Sequence, residues 1–141
     1  MSNDEEIIRA KMNTLNSIFR NPERKLFEDL FTPDCDYITF LGQHLKGIEE
    51  NYRVHKNLAN IWLFKGAELV IVDMLYKLLN EFTAVVIKKG AIKLRWQKKI
   101  KTNRMSINTN IFVKQSNEWK LASFQNTRIK KPGFLMRLFS R

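Results

Sequence analysis

The sequence predicts an α+β domain, its helices gathered at the N-terminal end and its strands in the C-terminal half. Three observations carry this. Apolar residues recur at spacings of three and four over 3–20 and again from 48 onward, the period of a helix with one buried stripe. From residue 68 the apolar period shortens to two, with turn residues between the runs, as in strands covered on one face. A single β-forming run, 36–41, interrupts the helical part. Runs of helices followed by runs of strands argue for α+β rather than for alternating βαβ units.

Residues 3–20 read as the first helix. Ser2 and Glu5 have capping-box spacing, and Asp4, Glu5 and Glu6 sit where the positive end of the helix dipole favours acids. Ile7, Ile8, Met12, Leu15, Ile18 and Phe19 form its stripe. Asn21 as N-cap, then Pro22 and Glu23, predict a second, short helix to about Leu30, ended by Thr32 and Pro33. The run 36–41 is β-branched and aromatic, and Gly42 and Gly47 bracket a polar reversal after it. Ile48, Tyr52, His55, Leu58 and Trp62 then keep helical spacing to a third helix closed near Gly66. This helix lays Tyr52 and His55 over the strand that holds Tyr37 and Thr39.

Residues 68–79 read as a strand, although 74–79 also suits a helix. Asn80 and Glu81 are the expected hairpin turn, and 82–87 is a strong strand that extends past Gly90 towards Trp96, with Gly90 marking a bulge or bend. A basic turn follows over 97–103. In 105–114 the apolar set Met105, Ile107, Thr109, Ile111 and Val113 alternates with Ser106, Asn108, Asn110 and Phe112. A loop at 115–118 leads to the last strand, 119–128. We expect one domain over 1–131 and a basic, apolar tail over 132–141. A curved sheet wrapped around helices leaves a concave, mostly apolar space between the layers, where small ligands bind.

The 141-residue chain is long enough for a real core, and 44% of it is hydrophobic. No run approaches the length of a membrane span, and the acidic N-terminus lacks an apolar signal region. The single Cys35 has no disulfide mate in the chain, so a reducing compartment, the cytoplasm, is expected. The net charge of +11 is lopsided. Residues 1–83 hold ten Lys/Arg against thirteen Asp/Glu, and residues 84–141 hold fifteen against one. Such asymmetry fits either an anionic partner or, as the plainer reading, solvated Lys and Arg on the outer face of the C-terminal strands. Residues 88–104 hold eight Lys/Arg but only one aromatic, Trp96. That is too few for a stacking platform, so nucleic acid is not an expected partner.

Three pieces together carry a family resemblance: the run FTPDCDYITFLGQHLKGIEENYRVHKNL, the Arg104–Ser106–Thr109 spacing before a β-run, and the closing EWKLASFQNTR. Over roughly residues 5–130 the chain resembles the SgcJ/EcaC-type members of the SnoaL-like group, within the nuclear transport factor 2-like superfamily. The resemblance implies a cone: a curved, mixed but mostly antiparallel sheet packed on three helices. It also implies a homodimer formed through that sheet. The superfamily spans ketosteroid isomerase, polyketide cyclases, epoxide hydrolase, dehydratases and modules that only bind or assemble, so the site must decide function.

His44 and His55 are the only histidines, at positions the resemblance makes family-typical. An imidazole near neutral pKa serves as acid or base, or simply bridges backbone groups. His55, on the inner face of the third helix, is the candidate proton-transfer residue. Tyr37, Thr39, His44, Tyr52 and Asn126 are the candidate pocket residues around it. Gln125 and Asn126 are neighbours on a strand, so one faces the pocket and the other does not. Arg104 either points inward and anchors an anionic ligand group or sits at an edge in solvent. Asp34 and Asp36 read as turn or cap residues, which leaves no inward carboxylate for isomerase-type chemistry. Two histidines without HExxH or CxxC spacing predict no metal, and the lack of a GxGxxG loop predicts no dinucleotide cofactor. In the tail, Phe134, Leu135, Leu138 and Phe139 suit one side of a short helix. Packing on the protein is expected there rather than a membrane partner.

Overall fold

The computed structural model describes residues 1–131 and 133, so the expected tail helix lies outside the described residues. Helices α1 (Asn3–Arg20), α2 (Arg24–Leu30) and α3 (Gly47–Ala59) pack on a six-stranded sheet. Its strands are β1 (Phe31–Ile38), β2 (His44–Lys46), β3 (Glu68–Asn80), β4 (Thr83–Lys93), β5 (Met105–Gln115) and β6 (Glu118–Arg128). They lie in the order β2-β1-β6-β5-β4-β3. Only the β1–β6 pair is parallel, so the sheet is mixed but mostly antiparallel.

The first helix begins as its cap dictates: Ser2 Oγ accepts from the Glu5 N–H at 3.2 Å. Ile8, Met12, Leu15 and Ile18 of α1 are buried against Phe27 and Leu30 of α2 and against Phe112, Trp119 and Leu121 of the sheet. Asp4 fastens the N-terminus of α1 to the β5–β6 hairpin, accepting from Trp119 Nε1 at 2.9 Å and from Lys114 Nζ at 3.1 Å. This closes one end of the cone.

Several boundaries differ from the sequence reading. The second helix starts at Arg24, and Asn21 ends α1 instead of opening α2. Strand β1 starts at Phe31, five residues early. Its pairing with β6 slips between Phe31 and Asp36, and Pro33, which has no N–H to give, sits in that slipped part. The expected reversal after it is real, with Gly42 at φ +83°, but it leads into a short extra strand, β2. Helix α3 stops at Ala59, and a separate 3-10 turn, Trp62–Phe64, precedes Gly66. Glu81 and Phe82 make the β3–β4 turn, so Phe82 is exposed rather than in the strand. The bulge sits on β3 between Ile71 and Asp73, opposite Gly90. A Cβ at Gly90 would lie 2.4 Å from the Val70 carbonyl oxygen, so only glycine fits that crossing.

On two strands the buried side differs from what the apolar pattern alone suggests. On β5 the polar set turns inward: Asn108, Asn110 and Phe112 are buried, while Ile107 is exposed on the outer face. On β6, simple alternation would set Trp119 and Leu121 on one face and Phe124 on the other. All three are buried, because a bulge shifts the register between Ile111 and Phe112 and restores Phe124 to the core side.

Candidate functional site

The open end of the cone holds a cavity of about 200 Å³ between α1, α3 and the concave face of the sheet. Its lining is mostly apolar, with Leu15, Phe19, Leu58, Ile71 and Phe124 prominent. A larger depression of about 360 Å³ lies at the opposite end around Asp4 and Phe82. Hairpin-turn residues bound it, so it offers no enclosed chemistry and the cone interior is the candidate site.

His55 enters from α3 and is 5% exposed. Its Nδ1 lies 2.9 Å from the Asn51 carbonyl oxygen one turn earlier. A carbonyl only accepts, so Nδ1 carries the proton and Nε2 is the acceptor of the neutral ring. Desolvation lowers the imidazole pKa, partly opposed by that backbone bond, which keeps the ring neutral at pH 7. Tyr37 meets it edge-on with ring centroids 5.0 Å apart and stacks its own face on Phe124 at 4.1 Å. Burial raises the Tyr37 hydroxyl above a free phenol's pKa, so it stays a neutral donor.

A polar row crosses the concave face of the sheet. Lys88 on β4 is paired with Asn108 on β5, and Asn108 with Asn126 on β6. All three line the cavity, as does Thr39 just beyond β1. Asn110 Nδ2 donates to Asn108 Oδ1 at 2.6 Å and to the Val86 carbonyl at 3.1 Å, which fixes the middle of the row. Among the described residues, Asn126 Oδ1 is buried without a hydrogen-bond partner. Lys88 is 2% exposed, and its Nζ donates to Asn16 Oδ1 of α1 at 2.9 Å. Burial lowers its amine to about 8.

Of the residues expected in the pocket, Tyr37, Thr39, His55 and Asn126 line the cavity. The other four do not. Gln125 is exposed on the outer face, which settles the choice between it and Asn126. His44 lies on β2 with its Nε2 2.6 Å from Asp36 Oδ1, and both side chains are exposed. Tyr52 turns into the core, edge-on to Phe27 at 5.5 Å. Arg104 ends the 3-10 turn Thr102–Arg104 ahead of β5, away from the cavity. No carboxylate lines the cavity among the described residues, and none of them form a cluster of three or more His, Cys, Asp or Glu that could hold a metal.

Sequence reasoning missed Lys88, Asn108 and Asn16. The available signal was parity: Lys88 shares its strand face with Ala84 and Val86, both buried. It also missed a surface cluster. Trp62 stacks on Trp96 with centroids 5.5 Å apart, and the Arg95 guanidinium lies 4.8 Å from the Trp62 ring centre.

No family model matches the chain, and no curated protein matches it in sequence. Solved structures do match. A domain of unknown function with a cystatin-like fold from Nostoc punctiforme superposes with a TM-score of 0.81 at 24% identity, over 99% of this chain and 84% of that one. An NTF2-like protein with a cystatin-like fold from Novosphingobium aromaticivorans gives 0.77 at 16% identity, over 98% and 89%. A hexachlorocyclohexane dehydrochlorinase (LinA) gives 0.72 at 9% identity, over 93% and 92%. At these identities the likeness speaks for the fold, and it agrees with the helices, the mixed sheet and the cone described above: the chain has the cystatin-like fold of the NTF2-like proteins.

Proposed function

We propose that the cone binds an apolar small molecule, and that the chain is a cofactor-independent acid–base enzyme of isomerase, cyclase or hydratase type. One observation carries this. His55 is a buried imidazole whose Nδ1 is held by a backbone carbonyl, and its ring lines an apolar cavity. A base must be neutral, oriented and within reach of its proton. The orientation comes from Asn51 and from the flanking Phe27 and Tyr37 rings. Tyr37 and Asn126 orient the ligand. The dehydrochlorinase of the same fold supports the idea that such a cone can host chemistry on an apolar substrate.

A second reading is a ligand-binding or assembly module without catalysis. The absence of a carboxylate from the cavity lining, among the described residues, favours it, because desolvation makes His55 a weak base. Hydrogen–deuterium exchange α to the carbonyl of a panel of cyclic ketones, followed by NMR, separates the two. The enzyme reading expects exchange catalysed by the wild type and lost in His55→Phe, with Nile red still bound by both. Nile red binding without exchange in the wild type decides for the binder.

Assembly as a two-fold dimer through the outer face of the sheet belongs to both readings. Leu75, Ile107 and the half-buried Val85, Ile87 and Ile111 support it, since they form an apolar outer face on β3, β4 and β5. The buried, unpaired Cys35, with its thiol pushed up to about 11 by burial, suits a cytoplasmic protein.

A further inference from the structure

The ammonium of Lys88 is an unusual guest in an apolar cavity. The side chain is 2% exposed. No Asp, Glu, Arg or second Lys lines the cavity among the described residues. An ammonium has three N–H donors, yet among the described residues Nζ has one acceptor, Asn16 Oδ1 at 2.9 Å. Burying a charge is costly unless it is paired and hydrogen-bonded. The cost is tolerable if a counter-ion arrives with the ligand. The neighbouring residues suit one. Asn108, opposite Lys88 across the β4–β5 ladder, already has its Oδ1 engaged by Asn110, so its amide N–H groups are what remain for the cavity. Asn126, next in the row, has an Oδ1 unpartnered among the described residues and interchangeable with its NH2 by a half-turn.

We infer that Lys88 anchors the anionic end of the ligand, and that the cone takes an apolar monocarboxylate. The carboxylate sits on the Lys88 ammonium and the Asn108 amide, and the hydrocarbon body lies against Leu15, Phe19 and Leu58. This rests on the reading of the cone as an apolar small-molecule site and names the chemistry of what enters it. Burial by itself accounts for the lowered amine, down to about 8, so the charged form still predominates at pH 7. An arriving carboxylate stabilises that form further. The other titratable groups facing the cavity are Tyr37 from β1 and His55 from α3, and both are neutral at pH 7. Arg104, which could anchor an anion only by pointing inward, lies away from the cavity, and Lys88 takes that role.

The test is calorimetric titration with straight-chain acids from hexanoate to dodecanoate and with their methyl esters. The wild type should bind at least one acid ten-fold or more tighter than its ester at pH 7. That preference should fade as the pH rises above Lys88's titration, while ester binding stays level. Lys88→Met should keep ester binding and lose the preference. Lys89→Met, on the outer face of the same strand, should keep both. Equal binding of acid and ester by the wild type overturns the anchor but leaves the apolar cone standing. A preference that survives in Lys88→Met also overturns it. Binding of neither series overturns the cone reading together with the anchor.

Discussion

Lys88 Nζ lies 2.9 Å from Asn16 Oδ1, tying the middle of β4 to α1 across the wall of the cavity. The contact satisfies one donor of a buried cation and leaves the desolvation in place. The consequence for stability has a definite sign. The folded amine titrates at about 8, against an ordinary value of 10.5. Between those values the unfolded chain holds a proton that the folded chain has lost, so stability rises with pH across the window. Below about 8 the full cost of the buried charge remains. Lys88→Met should therefore be the more stable protein at pH 7, by on the order of 3 kcal/mol. The advantage should shrink towards zero by pH 10.5. Urea unfolding of both proteins at the two pH values measures it, and a pH-independent difference refutes the assignment.

The His55 imidazole carries its own linkage. Burial holds its pKa below the ordinary 6.5, so on acidification the unfolded chain takes up the proton first. The stability it supports is whole above 6.5 and is lost as the pH falls through the folded value. His55→Phe should lose less stability between pH 7 and pH 5 than the wild type. Nitrogen NMR should show Nδ1 protonated and Nε2 bare at pH 7. The opposite tautomer contradicts the hydrogen bond to Asn51.

At Gly90 the backbone of β3 crosses too closely for a side chain, and a Cβ would need the Val70 carbonyl to move. Gly90→Ala should destabilise by about 1–3 kcal/mol or more, as overpacking does, and should narrow the cavity, whose wall includes Gly90. Gly42 is the useful contrast. It needs a positive φ of +83° but has open space around it, so Gly42→Ala should cost only the backbone strain, about 1–2 kcal/mol, and spare ligand binding. Calorimetric melting of both variants, with Nile red binding, tells steric exclusion from backbone strain.

The helices and the run of long strands were legible because periodicity reports them directly. Ser2 capped α1 as its spacing required, and the shortening of the apolar period at residue 68 marked the sheet. Periodicity does not say which face is inside. In β5 the more polar set, Asn108 and Asn110, turned inward because its neighbours complete a polar row with Lys88 and Asn126. In β6 one bulge reversed the parity between Leu121 and Phe124. The site was half legible for the same reason. His55 and Tyr37 follow from a helix laid over a strand. Lys88 and Asn16 are seventy-two positions apart, and only the closed cone brings them together. Trp62 and Trp96 likewise met through the fold.

The outer face of the sheet carries the last prediction. Leu75 is 58% exposed, and it neighbours Ile87 across the β3–β4 ladder, while Val85 faces Ile111 across β4–β5. Single exposed apolar residues are ordinary on a protein surface, but a contiguous set on one pleated face marks a contact. A two-fold axis through that face would bring each set against its own copy. Sedimentation at micromolar concentration should show a dimer. Leu75→Glu with Ile107→Asp should give a monomer of unchanged circular dichroism, because both side chains point away from the core. It should also leave the cone intact, with Nile red bound at the same stoichiometry per chain. A wild-type monomer at that concentration, or a dimer that survives both charges, sinks the sheet-face interface.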